Sequence, residues 1–277
     1  MLIWLKERFI LFCIKVINIG RVPAHIGFIM DGNRRFAKKY NLGLNVSHYK
    51  GFDIFWETVQ WCRRLEIPEV TVYAFSIENF NRTKDEVENL IDLARVKFQG
   101  FLDNIDRINQ LGIRIFVAGR LSLLPEDLRA KMAEVMLLTQ NNNKVRLNIA
   151  CSYTARDEIS RAASHLVDGV KNEELLPEDI DEELISRTLE LGEPELLVRT
   201  SGEVRLSDFM LWQVSNTVLY FTDVLWPEFS IWNILAAIIH FQRHAPPARL
   251  EKRMSKKNQN FLDRLAKLKR QKLDSFL

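Results

Sequence analysis

Short apolar runs alternate with longer amphipathic stretches through the middle of the chain. Six runs that are rich in β-branched residues and bounded by turn residues predict β-strands. They lie at 26–30, 70–75, 113–117, 146–150, 195–198 and 218–221. Helical periodicity is found between them, at 52–65, 126–139 and 155–169. Because strand and helix alternate, the pattern predicts a mostly parallel sheet with helices on both faces.

The clearest predicted helix follows Thr83. Thr83 and Glu86 have the spacing of a capping box, which satisfies free backbone amides in the first turn of a helix. The apolar positions that follow share one helical face: Val87, Leu90, Ala94, Phe98, Phe101 and Ile105. We therefore expect one amphipathic helix that continues to Ile105.

The chain divides into three predicted parts. They are an N-terminal amphipathic helix at 1–21, one α/β domain of about six strands at 22–247, and a basic helical tail at 248–277. Charged residues between 6 and 15 leave the first segment without the ~20 apolar residues that a spanning helix needs. We therefore expect no transmembrane span, and we expect this helix to pack on the domain or dock on a partner rather than to bind lipid.

Charge and cysteine content narrow the functional classes. The net charge is only +3, and basic residues are concentrated between Arg249 and Asp274, a segment that contains ten lysines and arginines and three acidic residues. A mildly acidic domain with a basic tail gives no reason to expect nucleic-acid binding. The three cysteines, Cys13, Cys62 and Cys151, are widely spaced, which predicts neither a disulfide framework nor a zinc site.

Polar residues collect after three of the predicted strands, at 31–35, 76–82 and 199–207. The carboxyl ends of parallel strands form the ligand crevice of open α/β sheets, so we expect these segments to meet. They contain five arginines, Arg34, Arg35, Arg82, Arg199 and Arg205. Guanidinium groups match phosphate oxygens in pairs, and the clusters therefore predict a site for two or more phosphate groups.

Asp31 is an acidic residue inside this arginine-rich region. Its carboxylate would repel phosphate unless a cation lay between them, so we interpret Asp31 as a ligand of Mg²⁺. The alternative is a helix N-cap, a position that aspartate favours. The sequence contains no Walker motif, no dinucleotide-binding glycine motif and no nucleophile elbow. We therefore expect a reaction in which diphosphate departs with electrostatic assistance.

Five segments resemble the signature blocks of the cis-prenyltransferases. They are HIGFIMDGNRRFAKK (25–39), VTVYAFSIENFNR (70–82), LNIACSYTARDEI (147–159), LLVRTSGEVRLSDFMLWQ (196–213) and FTDVLWPEF (221–229). The resemblance covers roughly residues 22–232 and is closer to the eukaryotic members of dolichol synthesis than to the bacterial ones. It implies a single α/β domain that encloses a hydrophobic tunnel, with the growing chain lying along the helix after Thr83.

The resemblance also implies the reaction and its residues. An allylic substrate such as farnesyl diphosphate is elongated repeatedly with isopentenyl diphosphate to a long-chain dehydrodolichyl diphosphate, for dolichol synthesis and glycosylation. Asp31 would hold Mg²⁺, and Asn33, Arg35, Ser76 and Asn79 would join it in catalysis. The implied substrate-binding residues are Gly32, Arg34, Phe36, His48, Phe80 and Arg82, together with Arg199, Arg205 and Ser207 for isopentenyl diphosphate.

Two departures from the family pattern concern the site and the assembly. Leu44 and Val218 stand where bacterial members have an arginine and a metal-binding glutamate, and the C-terminus lacks their Arg-x-Gly motif. The resemblance therefore implies a catalytic subunit that pairs with a degenerate, membrane-bound relative carrying Arg-x-Gly, at the cytosolic face of the endoplasmic reticulum. Peripheral membrane contact is compatible with this arrangement. The alternative is a non-catalytic subunit of the same complex that binds lipid or acts as a scaffold.

Overall fold

A six-stranded sheet forms the centre of the computed structural model, which describes residues 2–247 and 254–277. The strands are β1 (His25–Ile29), β2 (Glu69–Ser76), β3 (Ile113–Ala118), β4 (Val145–Tyr153), β5 (Leu196–Arg199) and β6 (Val218–Phe221). Their order in the sheet is β3-β4-β2-β1-β5-β6, and every pairing is parallel. The predicted fold class and all six strands are confirmed. The largest difference in length is in β4, which continues to Tyr153 and pairs there with the end of β2.

Ten α-helices flank the sheet within the described residues. They are α1 (Leu2–Ile17), α2 (Asn33–Lys39), α3 (Leu44–Arg64), α4 (Lys84–Asp103), α5 (Ile105–Leu111), α6 (Glu126–Leu138), α7 (Ala155–Lys171), α8 (Glu182–Thr188), α9 (Ile231–His244) and α10 (Lys256–Asp274). Alternate strand residues pack into different cores, with Ile26 and Phe28 in the larger one and Ile29 in a second one. Because side chains alternate across a strand, the sheet is buried on both faces.

The helix after Thr83 ends earlier than the sequence pattern predicts. Thr83 is the N-cap as expected, and its hydroxyl accepts a hydrogen bond from the Glu86 amide. However, α4 stops at Asp103, and Ile105 begins the separate helix α5. The expectation of one helix to Ile105 is therefore wrong. Asn104 causes the break, since its side-chain amide donates to the Gly100 carbonyl at 2.8 Å and competes with the helical backbone.

The N-terminal helix α1 packs on the domain through one face. Ile10, Ile14 and Ile17 are buried in the larger core, and the Gln242 amide of α9 donates to the Ile17 carbonyl at 2.9 Å. Large apolar side chains on the rest of the helix are exposed, including Trp4, Leu5, Phe12 and Val16. No helix of the described residues has both the length and the apolar character to cross a bilayer.

The C-terminal helix α10 packs against α7 and α8. Phe261 and Leu265 form a separate apolar cluster with Leu166, Leu175 and Leu184. A Cβ at Gly169 would lie only 2.6 Å from the Phe261 ring, which explains why glycine occupies that position. Residues 248–253, where the predicted boundary between domain and tail falls, lie outside the described residues. The division at 247 therefore stays a prediction, although most of the predicted tail is docked on the domain.

Truncation of Phe261 tests whether α10 contributes to the stability of the domain. Phe261→Ala should lower the free energy of unfolding by about 3–5 kcal/mol, because it removes a fully buried ring and leaves a cavity. Leu268→Ala is the matched control, since this leucine lies on the same helix and is 45% exposed. The control should change stability by less than about 0.5 kcal/mol in urea denaturation. Equal losses in the two variants would contradict a docked α10.

Candidate functional site

A cavity of about 1020 Å³ opens at the carboxyl ends of the central strands. Twelve of the fourteen residues predicted for the site line it: Asp31, Gly32, Asn33, Arg34, Arg35, His48, Ser76, Asn79, Arg82, Arg199, Arg205 and Ser207. They come from the segments after β1, β2 and β5 and from α3. The expected meeting of the three polar segments is therefore what the structure shows. It follows from the parallel sheet, in which these strand ends share one edge.

Phe36 and Phe80 are the two predicted site residues that do not line the cavity. Phe36 is buried on α2, where its ring contacts Tyr40 and lies under the Lys50 ammonium. Phe80 packs edge-on against Phe75, with ring centroids 5.0 Å apart. Both rings pack behind the residues that line the cavity, and their contact with substrate stays a prediction.

The turn after β1 places Asp31 at the cavity. Gly32 has a φ of 114°, and a Cβ there would lie 3.1 Å from both Leu225 and Ser201, so the turn requires glycine. Gly32, not Asp31, is the N-cap residue of α2. The N-cap alternative for Asp31 is therefore wrong. Its Oδ1 accepts a hydrogen bond from the Gly32 amide at 2.7 Å, and its side chain remains 34% exposed.

Arg199 connects Asp31 to the loop after β5. One terminal guanidinium nitrogen, Nη2, donates to Asp31 Oδ2 at 3.0 Å. The other, Nη1, donates to Ser207 Oγ at 2.8 Å and to the Arg205 carbonyl. The side chain is only 3% exposed, and its Nε has no hydrogen-bond partner among the described residues. Arg199 is therefore held in one orientation by contacts on both terminal nitrogens.

The other arginines form a more exposed rim. Arg35 pairs with Glu203 at 3.3 Å and contacts the Ser201 hydroxyl, and Arg205 also pairs with Glu203. Burial, followed by the charge of Arg34, lowers the pKa of Arg82. These cations lie close enough to repel one another, so an anion bound among them would be stabilised.

Ser76 and Asn79 are fixed by the backbone at the end of β2. Ser76 Oγ accepts from the Glu78 amide at 3.1 Å, and Asn79 Oδ1 accepts from the Ser76 amide at 2.9 Å. This reciprocal arrangement is a capping box for the short 3₁₀ helix Ile77–Asn81. It places both polar side chains at the cavity wall with little freedom to reorient.

The cavity continues from this polar mouth into an apolar channel between α3, α4 and the sheet. The channel is lined by Phe52, Phe55, Val72, Phe75, Leu90, Ile91, Leu93, Ala94, Phe98, Phe101, Ile149 and Cys151. The apolar face of α4 that the sequence predicts is therefore both core and cavity wall. A cavity with cations at one end and a hydrocarbon surface beyond fits an amphiphile with an anionic head group.

Several cavity residues were missed at the level of sequence. Tyr73, Glu78, Arg156, Glu203 and Asp208 line the cavity, yet no motif assigns them a role. Burial raises the pKa of Tyr73 to about 12, so its hydroxyl stays protonated and can donate hydrogen bonds. All five lie within the segments that resemble the family's signature blocks. Their position within a strand or in the segment that follows one is the sequence signal that could have identified them.

One carboxylate is suitable for a divalent metal ion. Among the described residues, no group of three or more histidine, cysteine, aspartate or glutamate side chains is arranged to hold a metal. A single carboxylate such as that of Asp31 fits a Mg²⁺ ion that takes its remaining ligands from phosphate oxygens and water. Its partial exposure and its position in the cavity lining agree with such an ion.

Comparisons with known proteins agree with this geometry. The prenyltransferase family model that describes undecaprenyl diphosphate synthase matches residues 29–246. The chain is 47% identical over 248 residues to a dehydrodolichyl diphosphate synthase complex subunit of Mus musculus, covering 87% of this chain and 74% of the relative. The Homo sapiens subunit is also 47% identical, over 246 residues, covering 86% and 74%.

A solved structure has the same fold. The lavandulyl diphosphate synthase from Lavandula x intermedia, crystallised with dimethylallyl diphosphate, superimposes with a TM-score of 0.76 at 30% sequence identity. The match covers 83% of this chain and 98% of that one. The chain and this structure therefore share the complete domain rather than an isolated motif.

Proposed function

Because the chain belongs to the undecaprenyl diphosphate synthase family of cis-prenyltransferases, we propose that it elongates an allylic diphosphate with isopentenyl diphosphate. The enzyme is a cis-prenyltransferase of the dehydrodolichyl diphosphate synthase type, which supplies dolichol synthesis. One observation carries this conclusion: a single cavity joins six arginines, including the five predicted from the sequence, to an apolar channel. The arginines fit two diphosphates, and the channel fits the hydrocarbon of a substrate such as farnesyl diphosphate.

The two diphosphates occupy different parts of the polar mouth. Gly32, Asn33, Arg34, Arg35, His48 and Arg82 surround the allylic diphosphate, and Arg199, Arg205 and Ser207 bind the isopentenyl diphosphate. Asn33 lines this part of the cavity, and the NH2 group of its side chain can donate hydrogen bonds to phosphate oxygens. Gly51 leaves room for it, because a Cβ there would lie 2.4 Å from Asn33 Oδ1.

In the reaction, the bond between C1 and oxygen of the allylic diphosphate breaks. The double bond of isopentenyl diphosphate attacks C1, and a proton leaves its C2, so that a new cis double bond forms. Arg35 and its neighbours stabilise the negative charge on the departing diphosphate. Ser76 and Asn79 lie at the cavity wall, where they assist ionisation or removal of the proton.

Asp31 would hold the Mg²⁺ ion of the reaction. When bound, this ion neutralises the charge that develops on the leaving group. Arg199 orients the Asp31 carboxylate through its 3.0 Å contact, and the Gly32 amide fixes the second carboxylate oxygen. The carboxylate is therefore preorganised by the protein, and metal binding needs no change in the β1 turn.

His48 should make diphosphate binding depend on pH. Burial, followed by the charges of Arg82 and Arg34, lowers the pKa of His48 below its usual value of 6.5, so the ring is neutral at pH 7. A bound diphosphate brings negative charge and should raise this pKa. The affinity should therefore increase as the pH falls from the bound-state pKa to the lower free-state pKa.

The affinity for farnesyl thiodiphosphate, measured between pH 8 and 5.5, checks this expectation. His48→Gln is the control. The pH dependence of its affinity arises only from titration of the ligand and of the remaining protein groups. The wild-type protein should gain more affinity on acidification than this variant does. Parallel pH profiles would show that His48 does not sense the diphosphate.

Incorporation of radiolabelled isopentenyl diphosphate onto farnesyl diphosphate tests the proposed function. Label should pass into butanol-extractable polyprenyl diphosphate in the presence of Mg²⁺ and stay in the aqueous phase after chelation. The mouse and human relatives are named as subunits of a complex, so the assay is run with and without a candidate partner. Absence of labelled product under both conditions would contradict an enzyme and favour a non-catalytic lipid-binding or scaffolding subunit.

The partner in this proposal is a membrane-bound relative that supplies an Arg-x-Gly motif to the cavity. Glu203 and Arg205 line the cavity, while Val204 between them is 76% exposed on the outer side of the same loop. A subunit docked on this loop could reach both diphosphates. The exposed apolar side chains of α1, such as Trp4 and Phe12, support peripheral contact with the cytosolic face of the endoplasmic reticulum.

A further inference from the structure

We propose that Asp208 is a positioning residue for the isopentenyl diphosphate part of the site, acting together with Arg156 of α7. The inference rests on the proposed function and deepens it, because no motif assigns a role to either residue. Both side chains line the cavity, but Asp208 acts through Ser207 and Arg199 rather than through contact with the substrate.

The backbone that carries Ser207 is strained. Ser207 and Asp208 have φ values of 50° and 59°, in the left-handed region that residues other than glycine rarely adopt. Two successive residues in this conformation persist only where the surrounding structure holds them. The loop therefore needs specific contacts to keep the Ser207 hydroxyl in place.

Asp208 supplies those contacts from three of its atoms. Its Oδ1 accepts from the Arg156 backbone amide at 3.0 Å, and its Oδ2 accepts from Arg156 Nε at 2.8 Å. Its carbonyl accepts from the Ala155 amide at 2.7 Å. The Asp208 side chain is 11% exposed, whereas that of Arg156 is 75% exposed. The loop is thus fastened to the first turn of α7, where free amides favour a carboxylate.

A second contact restrains the same turn from the sheet. The Tyr73 hydroxyl of β2 lies 3.3 Å from the Ser207 carbonyl and 3.3 Å from the Tyr153 carbonyl, and it donates to this pair. The Tyr73 ring stacks on Phe209 with centroids 4.5 Å apart. The Ser207 backbone and the two residues after it are therefore held in place, and the Ser207 hydroxyl contacts Arg199.

The fixed hydroxyl determines how Arg199 is held. Ser207 Oγ accepts from Arg199 Nη1 at 2.8 Å, while Nη2 of the same guanidinium donates to Asp31. If the turn relaxed, Nη1 would lose this partner, and the guanidinium could rotate away from the position that binds diphosphate. Asp208 thus links α7 to Ser207 and Arg199, the two residues of the proposed isopentenyl diphosphate site that it helps to position.

Steady-state kinetics of the assembled enzyme test this role. Asp208→Ala should raise the KM for isopentenyl diphosphate about tenfold, leave the KM for farnesyl diphosphate within about twofold, and change kcat less than the affected KM. Asp208→Asn should restore most of the affinity, since its side-chain oxygen can still accept from the Arg156 amide. Arg156→Gln, which keeps that backbone donor, should have a smaller effect than Asp208→Ala.

Asp181→Ala is the matched control for a general loss of stability. Asp181 caps α8 by accepting from the Leu184 amide at 2.8 Å, much as Asp208 accepts from the Arg156 amide in the first turn of α7, but Asp181 does not line the cavity. Its removal should lower the melting temperature without changing either KM. An unchanged KM for isopentenyl diphosphate in Asp208→Ala, or equal changes for both substrates, would overturn the positioning role.

Calorimetric titration with isopentenyl diphosphate alone separates this inference from the proposed function. If the wild-type protein binds this ligand but does not turn over, the proposed function fails, while a tenfold weaker affinity in Asp208→Ala would still support the positioning role. If wild type and Asp208→Ala bind equally, or if neither binds, the positioning role is overturned whatever the activity.

Discussion

Asp31→Asn should lower the rate of isopentenyl transfer by roughly a hundredfold to a thousandfold, the effect expected when one preorganised electrostatic group is lost. The carboxylate is a partly exposed acid at the polar mouth, and it is the residue proposed to hold Mg²⁺. An amide in its place keeps the shape and can still accept a hydrogen bond from Arg199, but it carries no charge for the metal. The fold should therefore persist while turnover is lost.

The variant and a matched control are compared by initial rate, Mg²⁺ titration and thermal unfolding. Glu78→Gln is the control, because Glu78 also lines the cavity but its side chain contacts Asn81 and Arg156 and neither Asp31 nor Arg199. It should lose less than about tenfold in rate, the cost of a single exposed charge contact. Full activity of Asp31→Asn at low Mg²⁺ would remove the metal role from this residue.

Arg199→Ala should have the second large effect. The KM for isopentenyl diphosphate should rise by about 10- to 100-fold, which is the loss expected for a charge-assisted hydrogen bond of 1.5–3 kcal/mol. Stability should fall as well, because Asp31 and Ser207 lose a partner that is 3% exposed. Both effects arise from the same buried guanidinium.

Arg205→Ala separates substrate binding from this structural role. Arg205 is 63% exposed, and its own side-chain ion pair is with Glu203 at the rim. Its removal should raise the KM for isopentenyl diphosphate without a measurable change in melting temperature. If Arg199→Ala leaves this KM unchanged, the isopentenyl diphosphate site must lie elsewhere in the cavity.

The sequence was sufficient to predict the sheet and the meeting point of the polar segments. Short β-branched runs such as 26–30 can be buried on both faces only in a covered parallel sheet, and their carboxyl ends then share one edge. Asp31 and Arg199 are 168 residues apart, yet they are brought within 3.0 Å because β1 and β5 are neighbours in the sheet. Strand pairing thus accounts for most of the proposed site.

Other features depend on tertiary contacts that periodicity does not encode. In the sequence, Asn104 is a single polar residue next to an apolar helical face. In the structure, the hydrogen bond from its side chain to the Gly100 carbonyl lies where α4 ends. Phe36 lies next to Arg35 in sequence, but adjacent helical positions face different directions, and its ring is buried behind the cavity. The left-handed conformation of Asp208 gives no signal in the sequence, because aspartate also occurs at ordinary turns.

A crystal structure of the protein with Mg²⁺ and farnesyl thiodiphosphate is the most direct test of the central claim that one cavity binds both the diphosphate and the growing chain. The account predicts the diphosphate between Asn33, Arg35 and Arg82, the metal ion on Asp31, and the hydrocarbon in the apolar channel beside Phe98 of α4. A hydrocarbon bound outside this channel, or a diphosphate away from Asp31 and the arginines, would contradict it.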